Sequence, residues 1–337
     1  MTVREQCKGY MERTGTSGNA IAKAIDWAGG TFNLWLREDY TGDNAAIERD
    51  VAAYLSRMDL RQKVKVDSGF VPTRQGLAML ATLRYAHARG KMGLVIGSSG
   101  SGKTKAIEHY VATQSGVIWL TIDEVSKSPS AVLHDLAEAI GLKTRGTLRG
   151  ILRALIKELT GSKRLIVVDE AQELTHDAIG VLRKIYDTAK VGVVFSGMPR
   201  LYYHMIGNGV ELFEQIKNRI AIKKELPLLN VEDATKILHS FDPSISAETC
   251  HVAHQLSHSC GRRLVMLYEQ AALEAADEGR SVTAEDFIAA QEFLYEEAPA
   301  APQKQPAPIV KARPEVKAIV QTKSNGAAHA TAKTRVG

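Results

Sequence analysis

Gly97-Ser98-Ser99-Gly100-Ser101-Gly102-Lys103-Thr104 carries residue types and spacing suited to holding nucleotide phosphates. Glycines let successive backbone N–H groups converge on phosphate oxygens, and a helix opening near Lys103 adds its N-terminal dipole. Lys103 is placed to reach the β- and γ-phosphates, and the Thr104 hydroxyl to ligate Mg²⁺. A second run, Leu165-Ile166-Val167-Val168-Asp169-Glu170, ends four apolar residues on two carboxylates. Ligands of α/β sheets gather at such carboxyl ends of strands. Asp169 is expected to hold Mg²⁺ through water, and Glu170 to polarise the water that attacks in phosphoryl transfer. Taken singly, the two runs also fit a chance glycine-rich turn and an acidic helix cap. Together they point to ATP hydrolysis.

The surrounding pattern supplies the elements that must position these groups. From residue 77 to 226, short β-rich runs at 92–96, 117–121, 165–168 and 191–196 alternate with amphipathic stretches such as 130–140 and 148–159. That alternation predicts a parallel sheet covered by helices. The extra strand at 117–121, between the two motifs, is typical of P-loop ATPases with an additional catalytic glutamate. Residues 227–297 read as a small helical lid, with helices at 231–241, 247–257, 263–276 and 284–295. Residues 1–58 read as a compact helical module in which Asp26-Trp27-Ala28-Gly29-Gly30 forms a tight turn and Asp43-Asn44 caps a later helix. The polar stretch 59–76 is expected to include a linker.

Composition narrows the classes further. The chain has 337 residues, 45% of them hydrophobic, and a net charge of +5. That is enough apolar material for ordinary buried cores. Residues 298–337 hold seven lysines and arginines against one acid, Glu315, together with five of the ten prolines. This basic Ala/Pro-rich tail is expected to be disordered. It carries more positive charge than the whole chain, so the folded body is close to neutral. Cys7, Cys250 and Cys260 are scattered and odd in number, which fits buried thiols in a reducing compartment. No run of about 18 apolar residues is present, and the N-terminus lacks a signal-peptide core. A cytoplasmic protein without a membrane partner is therefore expected.

In motif order the chain resembles the AAA+ target-selection ATPases of Mu-like transposable phages, the transposition protein B family. The likeness spans roughly residues 1–295: an N-terminal helix-turn-helix, a linker, GSSGSGKT, VVDEAQEL and a helical lid. The P-loop motifs alone identify only the superfamily. The resemblance implies an α/β P-loop NTPase (AAA+) core, an N-terminal all-α helix-turn-helix domain and a small C-terminal helical lid. It implies ATP and Mg²⁺ as cofactors, and double-stranded DNA and a DDE transposase as partners. It also implies a homo-oligomer, in the form of a helical filament or a ring. Arg219, in Phe213-Glu214-Gln215-Ile216-Lys217-Asn218-Arg219-Ile220, resembles an arginine finger that completes a neighbour's site. Arg263, in Gly261-Arg262-Arg263, resembles the lid's nucleotide-sensing arginine, although the spacing is imperfect. One departure stands out. Gly197-Met198-Pro199-Arg200 offers no asparagine where many AAA+ proteins place a polar sensor, and a thioether cannot donate. Ser196 is the candidate replacement, and slow hydrolysis is expected.

Two surfaces are candidates for DNA. Helix 30–36 would present Thr31, Asn33 and Arg37 to a major groove, with Phe32, Trp35 and Leu36 packed inward. Arg145, Arg149, Arg153 and Lys157 recur every four residues and form one stripe on a helix; Lys143 precedes them, and Lys127 sits on the loop after the 117–121 strand. A basic stripe is also what a solvated helix face looks like. The residues alone leave open a helicase-loader-type replication ATPase and an ATP-switched helix-turn-helix transcriptional regulator.

Overall fold

The computed structural model describes residues 1–63, 69–143, 146–202 and 216–295. Four helices open the chain: α1 (Val3–Thr14), α2 (Gly18–Ala24), α3 (Gly29–Leu36) and α4 (Asn44–Lys63). Cys7, Ile21, Phe32, Trp35, Ile47 and Val51 close a core between them and are fully buried. A capping box starts α1: Glu5 N–H donates to Thr2 Oγ1 (3.2 Å), and Thr2 N–H donates back to Glu5 Oε2 (2.7 Å). Asp43 caps α4, accepting from Ala46 N–H at 3.0 Å.

A five-stranded sheet follows. Its strands are β1 (Met92–Ile96), β2 (Val117–Thr121), β3 (Leu165–Asp169), β4 (Gly192–Gly197) and β5 (Ile220–Glu225), in the spatial order β2-β3-β4-β1-β5 with every neighbouring pair parallel. β1, β3 and β4 are buried at every position, as expected of parallel strands covered on both faces. One face carries α5 (Arg74–Arg89) and α6 (Lys103–Thr113). The other carries α7 (Pro129–Ala139), α8 (Leu148–Leu159) and α9 (His176–Ala189). In register, Ile96 lies beside Gly197 and Glu225, and Thr121 beside Asp169. The strand C-termini, and the loops that leave them, therefore share one end of the sheet.

β5 was not foreseen. Ile-Ala-Ile-Lys-Lys-Glu is half charged, and its outer positions are exposed because it is the edge strand, where lysines discourage further pairing. Much of the stretch 59–76, expected to include a linker, is described. α4 continues to Lys63, and α5 already starts at Arg74, where Thr73 caps it by accepting from Gly76 N–H (3.1 Å). Between them Phe70 stacks on His109 with ring centroids 4.4 Å apart, so 69–76 is packed against the core. Residues 64–68 and the expected tail at 298–337 lie outside the described residues. No helix among the described residues is long and apolar enough to cross a membrane.

The last four helices, α10 (Val231–Phe241), α11 (Ala247–Leu256), α12 (Gly261–Glu278) and α13 (Ala284–Tyr295), enclose a separate core around Leu238, Leu264, Leu267 and Phe287. Two carboxylates set their geometry. Asp233 is buried in α10 and accepts from Arg74 N–H at 3.0 Å, tying this bundle to the first turn of α5. Asp286 takes both arms of the Arg280 guanidinium (2.5 and 2.6 Å) and caps α13 by accepting from Thr283 N–H (2.8 Å). The hydrogen bonds from Arg280 pull the Asp286 carboxyl down from 3.8 to about 2. A depressed folded value means the ionised form stabilises the fold above the unfolded value, and that stability is lost as pH falls through the folded one. Asp286→Ala is therefore expected to destabilise the chain by about 2 kcal/mol at neutral pH. In urea unfolding, the gap from wild type should shrink below about pH 4 and close near pH 2.

Candidate functional site

β1 delivers the glycine-rich loop to the sheet's C-terminal end, where Gly97 N–H donates to Gly197 O at 3.0 Å. The loop turns through Gly100 (φ 72°) and Gly102 (φ 79°), left-handed values that suit glycine. At Gly100 space is a second constraint, since a Cβ there would come within 2.5 Å of Cys260 Sγ. The N-terminus of α12 is that close: Gly261 N–H donates to Gly100 O at 3.1 Å. α6 opens at Lys103, whose ammonium is buried and donates to Gly97 O (2.8 Å) and Ser98 O (2.9 Å). Burial lowers the Lys103 pKa; Glu170 and Asp169 oppose the shift, and Arg262 adds to it.

Asp169, at the end of β3, is fully buried and receives two hydroxyls. Thr104 Oγ1 donates to Oδ2 at 2.7 Å and Ser196 Oγ to Oδ1 at 3.0 Å. A hydroxyl and a carboxylate at this separation are the hard oxygen donors that Mg²⁺ selects. Ser196 was a candidate replacement for the polar sensor, but its hydroxyl is engaged on Asp169. Glu170 follows in a left-handed conformation (φ 52°), and its Oε2 accepts from Gln172 Nε2 at 2.5 Å. Gln172 Oε1 in turn accepts from Met198 N–H at 3.0 Å.

The phosphate loop and Glu170 line a cavity of about 660 Å³, within the range of small-ligand sites. Ser99 to Lys105 and Glu170 give this lining its polar groups, and Met198 lines it beside them. Phe70, Val71, Ile237 and Phe241 add apolar side chains to the lining. That apolar lining was not foreseen from the sequence. Its signal was present: an apolar triplet, Phe70-Val71-Pro72, stands immediately before the Thr73 helix cap.

The lid arginine is corrected. Arg263 leaves the cavity and packs its guanidinium 3.8 Å from the centroid of the Tyr295 ring. Arg262 lines the cavity instead, with Nη1 3.4 Å from Ser99 Oγ. Neighbouring residues on a helix point about 100° apart, so the start of α12 against the phosphate loop decides which arginine faces inward. Arg219 stands just before β5. Because Met92 pairs with Ile220 and Ile96 with Glu225, Arg219 is at the opposite end of the sheet from the phosphate loop. Its Nε donates to Asp187 Oδ1 at 2.7 Å on a partly exposed surface.

The candidate DNA contacts fall in two places. On α8, Arg149, Arg153 and Lys157 are exposed along one side, while Ile151, Leu155 and Leu159 are buried on the other. Lys143 is exposed before it, and Arg145 lies outside the described residues. Lys127 pairs with Glu124 on the loop after β2, and its carbonyl accepts from Thr175 N–H (3.1 Å) at the start of α9. On α3, Phe32 and Trp35 are fully buried and Leu36 partly so. Arg37 is exposed, Thr31 is half-buried, and Asn33 turns toward α2, with Nδ2 3.4 Å from Asn19 Oδ1. Leu34, not singled out in the sequence, is the large apolar residue that α3 exposes.

Residues 86–205 match the AAA domain family. The chain is 24% identical over 265 residues to the Mu-like prophage FluMu DNA transposition protein B of Haemophilus influenzae, spanning 77% of this chain and 92% of that one. It is 27% identical over 228 residues to the ATP-dependent target DNA activator B of Escherichia phage Mu, spanning 66% and 73%. Among solved structures, the ORC2 protein of Aeropyrum pernix superposes with a TM-score of 0.52 at 16% identity, over 67% of this chain and 70% of that one. This last likeness is one of fold alone.

Proposed function

We propose that this chain, an AAA-type P-loop ATPase similar to phage transposition B proteins, binds target DNA in its ATP state and delivers it to a DDE transposase. The reading includes largely sequence-independent binding, assembly of copies along DNA as a filament or ring, activation of strand transfer, and target immunity through hydrolysis and release. It places the protein on host DNA in the bacterial cytoplasm. The observation that carries it is the likeness over two-thirds of the chain to a protein called an ATP-dependent target DNA activator.

The chain's own residues supply the chemistry. Lys103 and the loop N–H groups hold the phosphates, and Arg262 faces them from the lid. Thr104 and Asp169 are the residues that fit Mg²⁺, which when bound neutralises charge on the phosphoryl group. Glu170 orients the attacking water, and Arg219 acts on a neighbouring copy. Arg149, Arg153 and Lys157 make no ion pair with any described residue, which leaves their charge for phosphates. Lys143 and Arg145 precede that stripe in sequence, and Lys127, on the loop after β2, is a further candidate. Thr31, Asn33 and Arg37 offer a second, smaller DNA surface.

Fluorescence anisotropy on a random-sequence duplex tests the reading. Binding is expected with ATP or a slowly hydrolysed analogue, with a steep fall as salt rises. The triple change of Arg149, Arg153 and Lys157 to Ala should flatten the log–log salt slope by about 0.9 for each phosphate left without its cation. Equal affinity with ATP, with ADP and without nucleotide would overturn the proposal.

A further inference from the structure

Gln172 lies in the short 3₁₀ turn Ala171–Glu173, directly after the two carboxylates of β3, and is 8% exposed. Its amide is held at both ends. Oε1 accepts from the backbone N–H of Met198, and Nε2 donates to Glu170 Oε2. A flipped amide would set donor against donor and acceptor against acceptor, so this network fixes the orientation. Nε2 also lies 3.4 Å from Glu173 Oε1, whose carboxylate pairs with Arg200. Gly197 makes room for the arrangement, because a Cβ there would run into Gln172 Oε1.

Glu170 needs such a support. A non-glycine residue in the left-handed region is held there at a cost of about 1 kcal/mol, so its surroundings, not its backbone preference, determine where its carboxylate points. Met198 brings no side-chain donor to the end of β4, and the Ser196 hydroxyl is engaged on Asp169. Among the described residues, Gln172 is the side chain that connects the end of β4 to Glu170.

We propose that Gln172 is a positioning residue for hydrolysis: its amide bridges the end of β4 to Glu170 and aims that carboxylate at the attacking water. It performs through Glu170 the positioning that the Met198 side chain cannot. The inference rests on Glu170 being the water-orienting group, so the test carries a separate arm for that premise.

Steady-state ATP turnover and ATP affinity are measured on the full chain for Gln172→Leu, Gln172→Glu and Glu170→Gln. Gln172→Leu keeps most of the volume and removes both hydrogen bonds. It should lower kcat about 10- to 100-fold, with KM and Kd for ATP within about two-fold of wild type. Gln172→Glu keeps the acceptor for Met198 but loses the donor and sets two carboxylates together. Its kcat should be low near pH 8 and recover as pH falls toward about 6, where a shared proton restores the donor. Wild type and Gln172→Leu should show no such recovery. Wild-type kcat in Gln172→Leu beside an inactive Glu170→Gln overturns the Gln172 inference alone. Full turnover in Glu170→Gln overturns the premise instead. If Gln172→Leu loses ATP binding, the Gln172→Glu pH profile decides, and a profile parallel to wild type overturns the inference.

Discussion

Glu170→Gln is expected to slow ATP turnover by at least about 100-fold while ATP affinity stays within about two-fold of wild type. The substitution is nearly isosteric, and the new amide oxygen still accepts from Gln172 Nε2, so the turn after β3 keeps its geometry. What disappears is the negative charge that, on the proposed function, orients and polarises water. That loss is felt only as the transition state forms, which is why kcat falls and binding does not. Lys103, proposed to hold phosphate, hydrogen-bonds to Gly97 O, Ser98 O and Ser101 Oγ of the loop and not to Glu170. A coupled-enzyme assay gives the rate, and titration with a fluorescent ATP analogue gives the affinity. Turnover within tenfold of wild type would remove Glu170 from the role. On the proposed function, the same variant should also stay on DNA far longer after excess competitor DNA is added, because release waits on hydrolysis.

The two motifs of this site were legible because each couples a rare composition to a strand end. Gly97–Thr104 and Asp169-Glu170 follow apolar runs that are buried on both faces of the sheet. The lid helices were legible for a similar reason, their apolar faces being bounded by caps and glycine. β5 was not, because its six residues include three charges and owe their extended form to pairing with β1. α1 had a usable signal in Thr2-Val3-Arg4-Glu5, the residues of a capping box, but few apolar positions to support it. The confusion between Arg262 and Arg263 is a matter of helix phase. The start of α12 is set by Gly261 meeting Gly100, 161 residues away in the chain, and no local pattern reports that contact. Gln172 is the clearest case of information held only in three dimensions. A glutamine in a polar turn carries no signal of its own in sequence, and its meaning comes from Met198 and Glu170 closing on its two ends.

Arg219→Ala should reduce turnover by about 1000-fold if its guanidinium completes the site of an adjacent copy, the range in which such arginines act. Its place in the fold makes the alternative, action on its own site, hard to sustain. β1 and β5 run parallel, and four residues of strand separate Met92, beside Ile220, from Ile96, which leads into the phosphate loop. At about 3.3 Å per residue this is roughly 13 Å along the sheet, before the loop itself is added. Release of Arg219 from Asp187 is not prohibitive, because partly exposed ion pairs contribute about 1 kcal/mol or less. A head-to-tail contact between copies would then bring one subunit's Arg219 end against the next subunit's cavity, a heterologous interface that extends into a ring or filament. Mixing two inactive variants separates this from a purely structural role. Arg219→Ala retains Glu170, and Glu170→Gln retains Arg219. In a random one-to-one mixture, about a quarter of interfaces pair an intact Glu170 with an intact Arg219. Turnover should therefore return to roughly a quarter of wild type, provided the copies are allowed to exchange. Recovery requires the arginine to act in trans, so a mixture that stays as inactive as its components would assign Arg219 a structural role within its own subunit.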